Sequence, residues 1–354
     1  MVSNMEKEEF KPLSFWQELF LKRKDMPEYY NAKRAYLHER GESLKGLKLR
    51  KTIHPILLKL IELNRKLIEK QNITVLDDKH VETEKPVIYA ITHIGKFDYQ
   101  IVSEVIKEHQ VPFSGDPETM YRTFDGTFLG LNGIIYCDTE NKEDRKIATS
   151  TSIELLKSGY NLLIYPEGIW NVTPNALTVP LFPGIIRMAL STGCDIVPIA
   201  VEQYDKDFYV NIGKNFKVDE LLCDSEEEEI DYINSKKEEL RDIMATLKWE
   251  IFEKLPQEER KNIGDYATSH RNFVDRRLFE WFNKKENKPY YNPELIKHRT
   301  FREKGVVLAE DAFSYFKDIK LNKNNAYLFR KDESLPVSIQ EVVAQKLDDF
   351  NKRK

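Results

Sequence analysis

Apolar and polar positions follow two different periods along this chain, and the change from one to the other marks its organisation. From Thr52 to Lys70 the apolar residues fall at Ile53, Ile56, Leu57, Leu60, Ile61, Leu67 and Ile68. That is the i, i+3, i+4, i+7 spacing of a helix face, and Leu58 and Leu63 widen the stripe. Upstream, Phe15, Trp16, Leu19 and Phe20 make a shorter helical face, followed by the Lys22-Arg23-Lys24 triplet and an interruption at Pro27. Near Ile73 the pattern becomes short apolar runs. Ile73 to Leu76, Val87 to Ile91, Ile134 to Cys137, Leu162 to Tyr165 and Ile196 to Val201 read as buried strands. Helical stretches separate them at about Tyr99 to His109, Lys142 to Lys157 (closed by Ser158-Gly159) and Pro183 to Thr192 (closed by Gly193). Gly126, Gly130 and Gly133 punctuate what reads as a loop.

Strands alternating with helices at this spacing predict an α/β fold: a mostly parallel central sheet flanked by helices, with N-terminal and C-terminal helical extensions. The divisions fall at residues 1–72, a helical region with a candidate membrane surface; 73–222, the α/β core; and 223–354, a helical C-terminal extension. In the last of these, Asp224-Ser225 ahead of Glu226 to Glu229 starts a helix that runs to about Leu255. Further helices are expected at Phe273 to Lys285, Asn292 to Lys304 and Pro336 to Lys352.

Composition narrows the function classes. With 354 residues, 41% of them hydrophobic and 11% aromatic, the chain can bury a sizeable core. A net charge of −4, with no stretch that interleaves basic and aromatic residues, argues against nucleic acid as a partner. Cys137, Cys194 and Cys223 lack metal-ligand spacing and suit a reducing compartment, so no bound metal is expected from them. The start of the chain, Met1 to Lys11, is charged and lacks the apolar segment of a signal peptide, and no apolar run reaches the roughly 20 residues of a membrane span. A cytoplasmic location follows, with any membrane contact interfacial, on the inner face of the cell membrane. Between Lys45 and Lys70 eight Lys or Arg stand against Glu62 and Glu69, a balance of +6. Two readings stay open for this segment: an amphipathic helix lying on anionic lipid, or a stripe packed on the core with a solvated basic face.

The chemistry is placed at Ile91-Thr92-His93-Ile94-Gly95-Lys96-Phe97-Asp98. On an unbroken α-helix, residues five apart are separated by roughly 140° of net rotation, so His93 and Asp98 cannot meet there. A strand, a Gly-containing turn and a helix solve the problem: His93 at the strand's carboxyl end, Asp98 in the first helical turn. A carboxylate so placed holds an imidazole in one tautomer and supports its positive charge. Tyr165-Pro166-Glu167-Gly168 also ends a strand, so both clusters open on the same edge of a parallel sheet. Glu167 is suited either to contact a substrate hydroxyl or to fix the loop through backbone N–H groups. Donors for a developing oxyanion are expected around the Gly95 turn or the adjacent helix start. A metal-dependent hydrolase built on His93, Asp98 and Glu167 is disfavoured, because no second His or Cys pair lies nearby to complete a ligand set.

Four ordered blocks, His93-x4-Asp98, Gly133-Ile134-Ile135, Tyr165-Pro166-Glu167-Gly168 and Ile196-Val197-Pro198-Ile199, resemble the glycerolipid acyltransferases typified by bacterial lysophosphatidic acid acyltransferases. The resemblance spans about Pro86 to Val201. It implies that His93 is the general base on an acceptor hydroxyl, that Asp98 orients it, and that Glu167 with Gly168 lines the acceptor site. It also implies a donor thioester, acyl-coenzyme A or acyl-[acyl carrier protein], used as a substrate rather than held as a cofactor, and a lipid acceptor. Two departures bear on that acceptor. Where the family carries arginines associated with the acceptor's phosphate, this chain has Thr139 and Trp170, neither of which makes the bidentate charged bonds of Arg. Either Arg122, Lys142, Arg145 or Arg187 substitutes, or the acceptor carries no simple phosphate. Trp170 beside Asn171 would suit a sugar or polyol headgroup, or serve as a core residue. A non-catalytic lipid- or carrier-binding module on the same fold is the remaining alternative.

Overall fold

The computed structural model describes residues 10–254, apart from 96, 116–119, 122, 140, 169–170, 172–176, 179, 205 and 220–224. The helices expected at 273–285, 292–304 and 336–352, together with Cys223, His270 and His298, lie outside the described residues, as do Arg122 and Trp170.

Five strands share one direction: β2 (Ile88–Ile91), β3 (Gln110–Gly115), β4 (Ile135–Cys137), β5 (Asn161–Ile164) and β6 (Ile196–Tyr204). Two more, β1 (Asn72–Asp78) and β7 (Asp207–Ile212), pair in parallel with each other, and β7 joins β6 antiparallel, giving the seven-stranded order β1-β7-β6-β2-β5-β3-β4. The expected mostly parallel sheet is therefore present, with its first strand running against the central block. Side chains alternate across β2: Ile88 and Ala90 enter one core with Leu162, Ile185 and Leu240, while Tyr89 and Ile91 enter the other with Leu163, Val197 and Val201. Both faces are thus sealed, which is why these strands read as continuous apolar runs rather than alternating ones.

Helices α4 (Asp98–Ile106), α6 (Lys142–Lys157) and α7 (Gly184–Thr192) stand within a few residues of their predicted bounds, and α8 (Glu226–Lys254) matches the long acidic-start helix. Helix α6 begins where Asn141 caps it, its side-chain oxygen accepting from the N–H groups of Glu143 and Asp144 at 3.0 and 3.2 Å. Three elements were not anticipated. Residues read as a Gly-punctuated loop form helix α5 (Phe124–Asn132), capped by the Thr123 hydroxyl, which accepts from Gly126 N–H at 3.0 Å. Gly126 suits a close approach: a Cβ there would lie 1.9 Å from the carbonyl oxygen of Met120. Strands β3 and β7 are the other two.

Ahead of the sheet, α1 (Phe15–Leu19) carries a Ser14–Gln17 capping box, and Pro27, read as an interruption, stands instead at the start of α2 (Met26–Glu39). Helix α3 (Leu47–Leu63) continues as a π-helical turn, Asn64–Glu69. The apolar stripe of α3 divides between two faces. Leu47, His54, Leu57 and Ile61 are buried, whereas Leu49, Ile56, Leu60 and Leu63 are exposed, and at 100° per residue these sets lie on opposite sides of the helix. Lys48 and Lys59 run along one edge of the exposed apolar side. The +6 of this segment is not a simple solvated face: Arg65 is buried on Glu104 at 2.7 Å, and Lys59 and Lys66 both pair with Glu62. The Lys66 pair and its partner's hold on Lys59 keep the Glu62 carboxyl well below the ordinary range, at about 2.

Candidate active site

Strand β2 delivers His93 to the sheet edge through Thr92, whose N–H donates to the carbonyl of Ile199 at 3.0 Å and whose hydroxyl accepts from Val201 N–H at 2.9 Å. The chain then turns sharply through Gly95, and Asp98 becomes the first residue of α4, as the spacing argument required. His93 Nδ1 lies 2.9 Å from Asp98 Oδ2. The same oxygen accepts the N–H groups of Ile94 at 2.6 Å and Gly95 at 2.9 Å, so one carboxylate oxygen shapes the turn and holds the imidazole together. Asp98 is 1% exposed and the His93 side chain 21%, which leaves the ring within reach of a ligand while its carboxylate is sealed. With Nδ1 directed at Asp98, Nε2 is the nitrogen suited to take a proton.

This arrangement narrows one expectation, that oxyanion donors lie around the Gly95 turn or the adjacent helix start. The N–H groups of Ile94 and Gly95 are already committed to Asp98, so an oxyanion donor is not supplied by either of them.

The second motif closes around His93. Glu167, 2% exposed, accepts the His93 backbone N–H through Oε1 at 2.9 Å, and the backbone N–H of Asn171 donates to the His93 carbonyl at 2.6 Å. Both main-chain polar groups of His93 are therefore held by the loop that follows β5. Of the two roles open to Glu167 from sequence, the bond seen is the one that fixes backbone. Gly168 lies exposed in that loop with φ +65°, a left-handed conformation that favours glycine, and a Cβ on it would come 2.5 Å from the Phe182 ring. The ring of Tyr165 stacks on that of His93, centroids 4.1 Å apart and planes 21° from parallel. Its hydroxyl is buried and has no hydrogen-bond partner, and burial together with the nearby Asp98 charge raises the phenol well above its ordinary range. Sequence reasoning quoted Tyr165 within the motif without giving it a role; an aromatic directly before the Pro-Glu-Gly turn was the available signal.

The two acceptor-side candidates that are described sit farther along the same edge. Thr139 follows β4, three strand positions from β2 in the order β2-β5-β3-β4, which at the usual strand spacing is roughly 14 Å from the His93 column. Its side chain lies beside the end of β3, where a Cβ on Gly115 would meet the Thr139 methyl at 3.1 Å. Arg145, exposed on α6, donates through Nη1 to the Thr139 carbonyl at 2.5 Å, so an arginine guanidinium lies beside Thr139. Among the other proposed substitutes, Arg187 faces Glu229 at 3.8 Å and Lys142 opens α6. Behind this corner, the Arg34 guanidinium grips buried Asp144 through Nε and Nη2, both at 2.8 Å, and Asp144 in turn accepts the N–H of Asp138 at 2.6 Å, bracing the loop that carries Thr139. Among the described residues no group of three or more His, Cys, Asp or Glu is placed to hold a metal ion, and no helix is long and apolar enough to cross a membrane.

Residues 72–202 match the family model described as Acyltransferase. No curated protein matches. Among solved structures the chain is similar to the 1-acyl-sn-glycerophosphate (LPA) acyltransferase PlsC from Thermotoga maritima, at 15% identity over 63% of this chain and 98% of that one, with a TM-score of 0.41. The matched residues hold both motifs, the strands from β1 to β5 and most of β6.

Proposed function

We propose that this chain moves a fatty acyl group from a thioester, acyl-coenzyme A or acyl-[acyl carrier protein], to a hydroxyl of a lysophospholipid or related glycerolipid. The observation that carries the reading is the His93–Asp98 pair, one ring nitrogen held at 2.9 Å by a sealed carboxylate and the ring itself partly open at the sheet edge. In this mechanism the acceptor hydroxyl gives its proton to His93 Nε2 as its oxygen attacks the thioester carbonyl. The new C–O bond forms, the C–S bond breaks, and the imidazolium returns the proton to the departing thiolate. No covalent enzyme intermediate is needed, and positioned general-base help of this kind contributes about 10²- to 10⁴-fold. Asp98 stabilises the imidazolium that appears midway.

For the acceptor, the exposed Arg145 guanidinium beside Thr139 supports a phosphate-bearing headgroup, the cation standing in for the one missing from the aligned position. A sugar or polyol acceptor is the second reading, resting on the Thr139 substitution itself. Work at a membrane surface is supported by α3, whose exposed Leu49, Ile56, Leu60 and Leu63 form one apolar face edged by Lys48 and Lys59, a pattern suited to a helix that lies in an anionic interface. A cytoplasmic enzyme bound to the inner membrane face fits that pattern.

The test is an acceptor screen read by mass spectrometry. Purified full-length chain is given acyl-coenzyme A or acyl-[acyl carrier protein] with lysophosphatidic acid, other lysophospholipids or glycolipids. Acylated lysophospholipid, lost on His93→Ala, is the expected product. Full turnover by a folded His93→Ala protein overturns the mechanism, and selective acylation of a phosphate-free acceptor moves the assignment to the second reading. Binding of every acceptor without product would make the chain a binding module.

A further inference from the structure

Among the described residues, three contacts hold the backbone and Nδ1 of His93, and a fourth lies against its ring. The backbone N–H is held by Glu167, the backbone carbonyl by Asn171 N–H, and Nδ1 by Asp98. A single hydrogen bond to Nδ1 works as a pivot: it sets where that nitrogen sits, not the plane through which Nε2 is aimed. The fourth contact is the Tyr165 ring, 4.1 Å away and 21° from parallel, which covers one face of the imidazole. Tyr165 is itself firmly based. It follows directly on β5, precedes Pro166 with its fixed φ, and its carbonyl accepts Gly168 N–H at 2.9 Å across the turn.

We propose that Tyr165 is a positioning residue whose aromatic face carries the His93 ring through proton transfer, fixing its plane and favouring its cationic form. The inference rests on His93 acting as the base, as proposed above. When Nε2 takes the acceptor's proton, the ring becomes a cation lying against the negative face of the phenol π-system, an arrangement that is attractive and strongest out of water. Tyr165 exchanges no proton. Its hydroxyl is buried, donates to nothing and accepts from nothing, and so has no bond to lose on removal. The face rather than the hydroxyl does the positioning, which separates this role from that of a general acid.

The test compares Tyr165→Phe, which keeps the face, with Tyr165→Leu and Tyr165→Met, which fill the space without it. Histidine-labelled full-length protein is titrated by NMR, the His93 signal assigned by its loss in His93→Gln, and kcat, KM and their pH profiles are measured in parallel. In the wild type, the His93 ring protons should show the upfield ring-current displacement of a stacked imidazole. Tyr165→Phe should keep that displacement and stay within about twofold of wild-type kcat. Tyr165→Leu and Tyr165→Met should lower kcat about tenfold or more at unchanged acceptor KM. They should also move the His93 titration, and with it the acid limb of the rate profile, to lower pH by roughly half a unit or more. Absence of the ring-current displacement in the wild type overturns the proposal without any variant having to fold. So does a Phe variant as impaired as the Leu variant, which would make the hydroxyl the operative group, or a His93 titration unmoved in both Leu and Met. Because NMR reads the ring directly, a chain inactive toward every acceptor tested would count against the proposed reaction and leave the stacking result standing on its own.

Discussion

Substituting Asp98 by Asn separates the charge of the pair from its shape. Asp98 Oδ2 accepts three hydrogen bonds, from His93 Nδ1 and from the N–H groups of Ile94 and Gly95, whereas Oδ1 is buried and has no hydrogen-bond partner. An amide that keeps its oxygen at the Oδ2 position still accepts all three, so the turn survives and the proton stays on Nδ1. What disappears is the negative charge opposite the imidazolium formed during transfer. With charge centres about 4 Å apart and an effective dielectric of about 20, that attraction is about 4 kcal/mol. Lost from the transition state, it corresponds to a fall of about a thousandfold in kcat. The new amide N–H groups replace an orphaned acceptor with orphaned donors, so the change in stability should stay within about 1–3 kcal/mol. The assay is continuous release of free thiol from acyl-coenzyme A, with thermal melting of the same preparations. Asp98→Asn should fold, keep KM for both substrates and lose kcat. Asp98→Ala, which orphans two buried N–H groups as well, should lose both activity and several degrees of melting temperature. A folded Asp98→Asn enzyme within tenfold of wild-type kcat would refute the idea that this carboxylate acts through its charge.

Glu167 separates a loop anchor from an acceptor contact: Glu167→Gln keeps an oxygen for the His93 N–H and should hold kcat within about tenfold, while Glu167→Ala, which strands that buried donor, should cost about 1–3 kcal/mol of stability and most of the activity. A Gln variant whose only defect is a raised acceptor KM would show instead that the carboxylate meets the acceptor. Arg145→Ala should raise KM for lysophosphatidic acid tenfold or more and leave acyl-donor KM unchanged; equal acceptor KM in the two proteins removes Arg145 from the headgroup site. On α3, Ile56→Asp with Leu60→Asp should abolish co-sedimentation with phosphatidylglycerol vesicles at an unchanged melting temperature, because both residues are more than half exposed. Leu57→Asp, on the buried side, should destabilise the fold, and vesicle binding that persists in the exposed-face double variant removes this helix as the lipid contact.

The parts of the molecule legible in the sequence are those whose local pattern and tertiary surroundings agree. Val87 to Ile91 and Ile196 to Val201 are apolar throughout because they are covered on both faces, and Asp98 declares itself because an imidazole and a carboxylate five apart can meet only across a break between strand and helix. Strand β3 was hidden by its own composition. Pro112 sits in its middle, a residue that usually demotes a run to an edge or a loop, and the strand accommodates it by pairing its first half with β5 and its second with β4. In α5, Gly126 and Gly130 each cost about 1 kcal/mol of helix propensity, a penalty that the Thr123 cap and packing offset but periodicity cannot register. Strand β7 carries the period-two signal of Phe208, Val210 and Ile212. Its other face carries Asn211, a polar residue that reads as solvent-facing yet is fully buried, its amide donating to the Leu247 carbonyl and to Glu250 on α8, a partnership between strand and helix 36 residues apart that no window of sequence contains. For α3 the stripe was visible but not its division. Two apolar faces on one helix look, in a list of residues, like one broad face.

That division bears on how the site is approached. Helix α3 packs against α4 and α5, and α4 begins at Asp98, so the helix with the lipid-suited face is joined directly to the helix that carries the orienting carboxylate. The joint is polar and specific. His54 on the buried side of α3 lies 2.6 Å from Asn132 Oδ1 at the end of α5 and 3.2 Å from the Lys107 carbonyl at the end of α4, and Arg65, in the π-helical turn that continues α3, holds Glu104 on α4 at 2.7 Å. Rigid attachment at these points means that a bilayer against Leu49, Ile56 and Leu60 would fix the orientation of α4 relative to that bilayer, and with it the edge of the sheet where His93 stands. On the proposed reaction, an acceptor whose headgroup lay at a membrane surface and whose chain stayed in the lipid would need to rise only far enough to bring one hydroxyl to Nε2. The turn after β2 would serve that reaction: an imidazole meeting a substrate still partly held by another phase would gain nothing from mobility, and here its ring face, its Nδ1 and both of its backbone groups each have a separate partner.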